Sequence, residues 1–185
     1  MSDVDGHPAR FGPETDFSWS ALWGAMDAER EARGLSNNGM LKDIAWFGLG
    51  VLHAIRDGKG TTCQHVMGPL RWLDRSPESF TPGCVDGPET ALPKFGAKAL
   101  RRSMPQLYEA VDATRQERDL TWEEAAAELG LGVDGLRRFD RLKYGMPMTM
   151  AMRLSRWTGR PAASFLYAAE EHKAYDPPLT TGRGR

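Results

Sequence analysis

The chain has 185 residues, 41% of them hydrophobic and 26% charged, with a formal net charge of −1. That length allows one medium domain or two small ones, and the balanced charge excludes a global basic field that would announce a nucleic-acid binder. Only two cysteines occur, Cys63 and Cys84, which speaks against a secreted disulfide scaffold and for a reducing compartment.

The first sixteen residues, "MSDVDGHPARFGPETD", are polar and acidic. They lack the apolar core of a signal peptide, and are expected to form a flexible tail over 1–16. No run in the chain approaches the roughly 18 apolar residues that a membrane helix needs. A soluble, cytoplasmic protein is expected, with no membrane partner.

A first helical unit is expected over 17–81. It opens with "LWGAMDAEREARGLS" (Leu22–Ser36) and continues through "DIAWFGLGVLHAI" (Asp43–Ile55). Its third helix places Leu49, Gly50 and Val51 at the opening, followed by His53 and Arg56. Its fourth helix contains Gly68 and Pro69, and a proline inside an ordinary helix costs about 3 kcal/mol. The unit ends on "RWLDRSPESF" (Arg71–Phe80).

A linker over 82–102 follows, rich in Pro and Gly at its start and basic at its end. Lys94, Lys98, Arg101 and Arg102 fit either an arm along the DNA backbone or an ordinary solubilising connector.

A second helical unit is expected over 103–175. Ser103 can cap its first helix, with Gln106 completing a capping-box pattern. Leu107, Ala110, Val111 and Thr114 form an apolar stripe at helical spacing. Thr121 caps a second helix, with Glu123 and Glu124 in the first turn, where the helix dipole favours anions. That helix buries Ala125, Ala126 and Leu129 and ends at Gly130 in the manner of a C-cap glycine. A third helix is predicted from about Val133 to Leu142, with Leu136 and Phe139 inward. A fourth carries Met150, Met152, Leu154 and Trp157, and Pro161 suits the first turn of a fifth that contains Phe165. The tail over 176–185, within "DPPLTTGRGR", has the composition of a disordered segment.

The two units repeat one another. "RWTGRPAASF" (Arg156–Phe165) lies eighty-five residues after "RWLDRSPESF", and "LYEAVDATRQERDLT" (Leu107–Thr121) lies at the same offset from the opening of the first unit. The middle slips by one residue and the loop before the fourth helix restores the register. Trp72 and Trp157 close the fourth helices, where a large aromatic side chain is best read as an anchor on the core.

The stretch "LTWEEAAAELGLGVDGLRRF" (Leu120–Phe139) resembles the DNA-binding domains of the lambda-repressor-like (Xre/Cro-type) helix-turn-helix family. It has Leu-Thr at the start of helix two, an Ala-rich helix, a glycine turn and Leu on the third helix. The "RW…P…F" ending is also similar to that family's last two helices. The resemblance covers most of 18–80 and 103–165 and is weaker in the first. It implies an all-α fold of two tandem five-helix domains. It also implies a transcriptional regulator in the nucleoid that binds double-stranded DNA.

In the family, the opening half of helix three enters the major groove. Carried over, this gives Trp122 on helix two, Asp134 and its neighbours Val133 and Gly135 at the helix-three opening, then Arg137, Arg138 and Arg141, and Lys143 in the loop. Valine and glycine offer no base-reading group, and Asp134 repels phosphate although it can accept from cytosine. The arginines therefore carry the expected contact. The surrounding charge is two-faced. Acids dominate 109–134, and Arg137, Arg138, Arg141, Lys143, Arg153, Arg156 and Arg160 dominate 135–160. A local basic face can track phosphates even in a neutral domain, whereas the plainer reading pairs it with the chain's own acidic helices.

The first unit lacks such a reading head. Phe47, Leu49 and Val51 stand where a reader needs polar side chains, and suit burial against a protein partner or a second copy. The first unit is thus expected to support assembly. His53, Cys63, His65 and Cys84 match no closed metal-ligand spacing, and neither a phosphate-cradling loop nor a nucleophile elbow is present. No metal, cofactor or enzymatic activity is expected. The alternative to a DNA-binding regulator is an interaction or adaptor protein that keeps the fold without reading DNA.

Overall fold

The computed structural model describes residues 16–44, 47–84, 88–93, 100–141 and 145–168. These are mostly helical. In the first half, α1 (Trp19–Ala32), α2 (Asn37–Asp43), α3 (Leu49–Arg56) and α4 (Cys63–Trp72) are followed by 3-10 turns at Pro77–Phe80 and Pro88–Thr90. The second half holds α5 (Met104–Glu117), α6 (Trp122–Leu129), α7 (Val133–Leu136) and α8 (Met148–Trp157), with 3-10 turns at Phe139–Arg141 and Ala162–Phe165. No described helix is long and apolar enough to cross a membrane.

Four of the eight described helices, α1, α2, α5 and α6, start at a polar residue that accepts an otherwise orphaned amide. Ser18 Oγ accepts from the Ala21 amide at 3.2 Å, Ser36 Oγ from Gly39 at 3.1 Å and Ser103 Oγ from Gln106 at 3.4 Å. Thr121 and Glu124 form a full capping box. The Glu124 amide donates to Thr121 Oγ1 at 3.2 Å, and the Thr121 amide donates to Glu124 Oε2 at 2.8 Å. Gly130 closes α6 at φ +61°, a conformation that Cβ-bearing residues rarely adopt. The stripe of Leu107, Ala110, Val111 and Thr114 is buried along α5.

Three features differ from the sequence-based expectation. A short two-stranded antiparallel sheet joins β1 (Leu100–Arg102) to β2 (Leu166–Ala168), so the linker's end belongs to the packed body, while the fold class stays all-α. The third helix of the second half stops at Leu136 rather than Leu142. Gly132 and Gly135 have poor helix propensity, no side chain caps the start, and the chain tightens into a 3-10 turn that still buries Phe139. The last helix is a single 3-10 turn in each half. As expected, α4 runs through Pro69, which is buried.

The same contacts recur eighty-five residues apart. The Ser18 amide donates to the Phe80 carbonyl and the Ser103 amide to the Phe165 carbonyl, each at 2.7 Å. Arg30 donates to the Leu35 carbonyl at 2.9 Å, and Arg115 to the Leu120 carbonyl at 2.7 Å. Trp72 Nε1 donates to Asp43 at 2.7 Å, and Trp157 Nε1 to Glu128 at 2.9 Å. Arg33 lies over the Trp72 ring and Arg118 over the Trp157 ring, at 4.5 and 4.8 Å. Both half-buried tryptophans are thus held at both polar and apolar edges. The repeat slips in the middle, where Gly48 caps α3 and Gly132 caps α7.

The halves share one continuous hydrophobic core that runs from Phe17 to Leu166. They meet at the starts of α4 and α8. Thr62 bridges Pro147, the Cys63 amide donates to the Met146 carbonyl at 2.8 Å, and the Met148 amide donates to the Thr61 carbonyl at 3.1 Å. Nearby, the Ala162 amide donates to Glu78 Oε1 at 2.6 Å, and β1 packs on α4.

Candidate nucleic-acid interface

The carried-over residues Asp134, Arg137, Arg138 and Arg141 follow one another through α7 and the turns after it, and some of them have partners within the chain. Arg137 closes α7 and points its guanidinium at Glu123 of α6, with Nη2 3.1 Å from Oε1. Both side chains are exposed, so this pair adds at most about 1 kcal/mol and opens readily. Arg138 lies in the turn after α7 and is exposed, with no ion pair among the described residues. Arg141 ends the 3-10 turn with its side chain 79% exposed, 4.0 Å from Asp140. Asp134 is exposed on α7. The shortening of α7 means that the three arginines do not share one continuous helical face. They project from a helix end, a turn and a 3-10 turn. Lys143 lies outside the described residues.

Trp122 sits differently from expectation. It is half-buried, stacks on Tyr108 with centroids 5.7 Å apart, and has the Arg115 guanidinium 4.9 Å from its ring. Tyr108 also touches the Phe139 ring at 5.5 Å. The tryptophan therefore ties α6 to α5, and Tyr108 of α5 in turn meets Phe139 in the turn after α7.

The expected basic face is smaller than the sequence count. Arg153 and Arg156 close on Asp16, a buried carboxylate ahead of α1. Arg153 Nε donates to Asp16 at 2.8 Å and its Nη1 to the Leu129 carbonyl at 2.8 Å. Arg156 reaches Asp16 at 3.2 Å and the Pro82 carbonyl at 3.5 Å. These two cations fasten the first half to the second. Sequence reading could not find Asp16, because a salt bridge across 137 positions leaves no local pattern.

The linker arm needs correction. Arg102 is 7% exposed, not available to phosphate, and its Nη1 donates to Ser155 Oγ at 3.2 Å. It stands eighty-five positions after Phe17, in the place where the first half has a buried aromatic. Burial pushes its guanidinium below the ordinary value, and the neighbouring Cys63 and Glu78 pull it back up. Arg101 is half-buried opposite Tyr167 in the strand pair. Lys94 and Lys98 lie outside the described residues.

The first half's apolar set also separates. Phe47 is 7% exposed and belongs to the core, so it is not an interaction surface. Its packing against the molecule's own helices is what the sequence pattern had registered. Leu49 is 53% exposed and Val51 half-buried. His53 is exposed beside them, and Arg56 is held by Asp57 at 2.8 Å, with Lys59 at 3.4 Å from the same carboxylate.

The site thus comes down to three exposed arginines after α7, with Glu123, Asp134 and Asp140 beside them in the same segments. No protein-family model, curated protein or solved structure matches the chain.

Proposed function

We propose that the chain is a DNA-binding transcriptional regulator, cytoplasmic and nucleoid-associated, built from tandem helix-turn-helix units of lambda-repressor-like form over 17–81 and 103–175. The second unit contacts double-stranded DNA through Arg137, Arg138 and Arg141, with Lys143 following in the chain. The first supports assembly. No catalysis and no cofactor belong to this reading. The observation that carries it is the set of three exposed arginines directly after α7, with the Trp122–Tyr108 stack tying the capped α6 to α5. Such arginines can neutralise phosphates and reach guanine, provided that Arg137 leaves Glu123.

The test is fluorescence anisotropy on labelled random duplex at several salt concentrations. The parent should bind with a steep salt dependence, because each neutralised phosphate releases counterions. Arg137→Glu with Arg138→Glu should abolish binding by removing attraction and adding repulsion. Asp134→Asn should strengthen non-specific binding. A double Glu variant that binds as the parent does would overturn the role of these arginines.

A second reading is an interaction protein that retains the fold without reading DNA. It is favoured by the Arg137–Glu123 pair, by exposed Asp134 on the same short helix, and by exposed Leu49. Absence of duplex binding even at low salt would select it.

A further inference from the structure

We infer that one copy of this chain is an internal pseudo-dimer that lays both halves on a single duplex carrying two unequal half-sites. The inference rests on the DNA-binding reading and extends it to the first half.

The starting observation is the seam. Thr62 pairs with Pro147, the residue eighty-five positions later. The Cys63 amide meets the Met146 carbonyl, and the Met148 amide meets the Thr61 carbonyl. Met146 is the counterpart of Thr61 under the same offset, and Met148 is the counterpart of Cys63. The contact is therefore reciprocal, i with j and j with i, which is the signature of a two-fold interface. Each half also repeats its internal contacts, including the Ser18–Phe80 and Ser103–Phe165 bonds and the two arginine-capped tryptophans. The local axis at the bridge thus relates the halves approximately, within one covalent chain.

A two-fold rotation leaves the direction along its axis unchanged. Whatever component of the α7 surface points along that axis, the α3 surface shares it. Where the α7 surface faces along that axis, the α3 surface faces the same way, and we take both segments to meet one duplex on that side. Duplex DNA has its own two-fold axes, and paired reading units match them at half-sites about one helical turn apart. The seam that a separate subunit would use is already filled by the other half, so no second chain is required.

The half-sites must be unequal because the two surfaces differ. The second half offers Arg137, Arg138 and Arg141 near Asp134. The first offers exposed Leu49 and His53, with Arg56 tied to Asp57 at 2.8 Å. An exposed aliphatic side chain suits the thymine methyl group, and histidine can bond a base edge. The first half-site should be weaker and thymine-rich, and the second should favour guanine.

The experiment is selection of the full-length chain on a pool of random-sequence duplexes, with sequencing of the retained DNA and stoichiometry by analytical ultracentrifugation. The expected result is two blocks of unequal information about 10 bp apart, centre to centre, bound by one chain. His53→Glu should lower affinity about tenfold and erase the weaker block alone. Leu49→Ser should relax the thymine preference within it. Arg137→Glu with Arg138→Glu should erase the stronger block. These side chains are exposed, and circular dichroism verifies that the variants remain folded. One contiguous block indifferent to His53→Glu and Leu49→Ser would overturn the inference while leaving the DNA-binding reading intact. Two chains on two blocks would overturn it in the same way. Retention of no duplex at all would overturn both.

Discussion

Trp157 shows how a single side chain can look like a core residue in sequence and yet lie half-exposed between the second half's own helices. Its ring is half-buried, its Nε1–H bonds Glu128 at 2.9 Å, and Arg118 covers it while donating to its carbonyl at 3.0 Å. Full truncation of a buried aromatic costs about 3–5 kcal/mol, and partial exposure lowers that figure. Trp157→Ala should therefore cost roughly 2–3 kcal/mol, with Trp72→Ala close to it because Asp43 and Arg33 repeat the arrangement. Denaturant titration measures both. A loss under about 1 kcal/mol for Trp157 would show that the ring contributes little packing. The repeat is also visible in backbone strain. Asp119 has φ +54° where its counterpart Gly34 has +64°, and Asp74 has +51° where Gly159 has +67°. One turn geometry is kept by glycine in one half and by aspartate in the other, a residue that tolerates the left-handed region better than most.

At the scale of elements, α4 carries the most testable detail. His65 lies in its first turn, with Nδ1 2.9 Å from Thr61 Oγ1, next to the bridge between halves. Burial pushes its imidazole below the ordinary 6.5. A positive charge in the first turn is also opposed by the helix dipole. The folded state therefore takes up a proton later than the unfolded one. Stability is full above pH 6.5, begins to fall as pH drops through that value, and stops falling below the lowered folded-state value. Unfolding measured between pH 5 and 7 should show this decline, and His65→Gln should flatten it. Glu124, held down by the Thr121 amide, and Asp57, held down by Arg56, act in a lower window, below their ordinary 4.5 and 3.8. A flat parent profile between pH 5 and 7 would remove His65 from the seam's energetics. The legibility of elements follows the range of the interactions that fix them. Ser103, Thr121 and Gly130 mark helix ends because caps are local, and the sequence states them outright. The early stop of α7 was not legible, since Leu136 and Phe139 fit a longer helix equally well. Gly132 and Gly135 weaken the helix, and Phe139 packs on Tyr108 from the 3-10 turn instead. The strand pair and the Thr62–Pro147 bridge join residues far apart, and no local pattern encodes them. Of the candidate site, the arginines after α7 were legible by residue type. Their internal partners were not.

For the whole molecule, the question is whether two repeated halves unfold as one. The covalent repeat alone would permit independent units, because each half is near the lower size at which a domain folds alone. The seam argues for coupling. Glu78 from the first half is buried and accepts from the Ala162 amide at 2.6 Å, while its second oxygen has no protein partner among the described residues. Arg102 is buried beside α4 with Nε and Nη2 likewise without a protein partner. Glu78 and Arg102 form no ion pair among the described residues, but the Glu78 charge partly offsets the desolvation of the Arg102 guanidinium. Glu78→Ala should then cost about 2–3 kcal/mol, from the lost bond to the Ala162 amide and the lost attraction on Arg102. Pairing Glu78→Gln with Arg102→Phe should recover most of that loss, because glutamine keeps an acceptor for Ala162 and phenylalanine copies Phe17. Chemical unfolding followed by tryptophan fluorescence and circular dichroism measures both effects, since tryptophans occur in each half. The parent should show one coincident transition, and Glu78→Ala should shift it or split it in two. A parent with two separate transitions, and a Glu78→Ala variant shifted by less than about 1 kcal/mol, would mean that the halves fold independently and that the seam only rests one on the other.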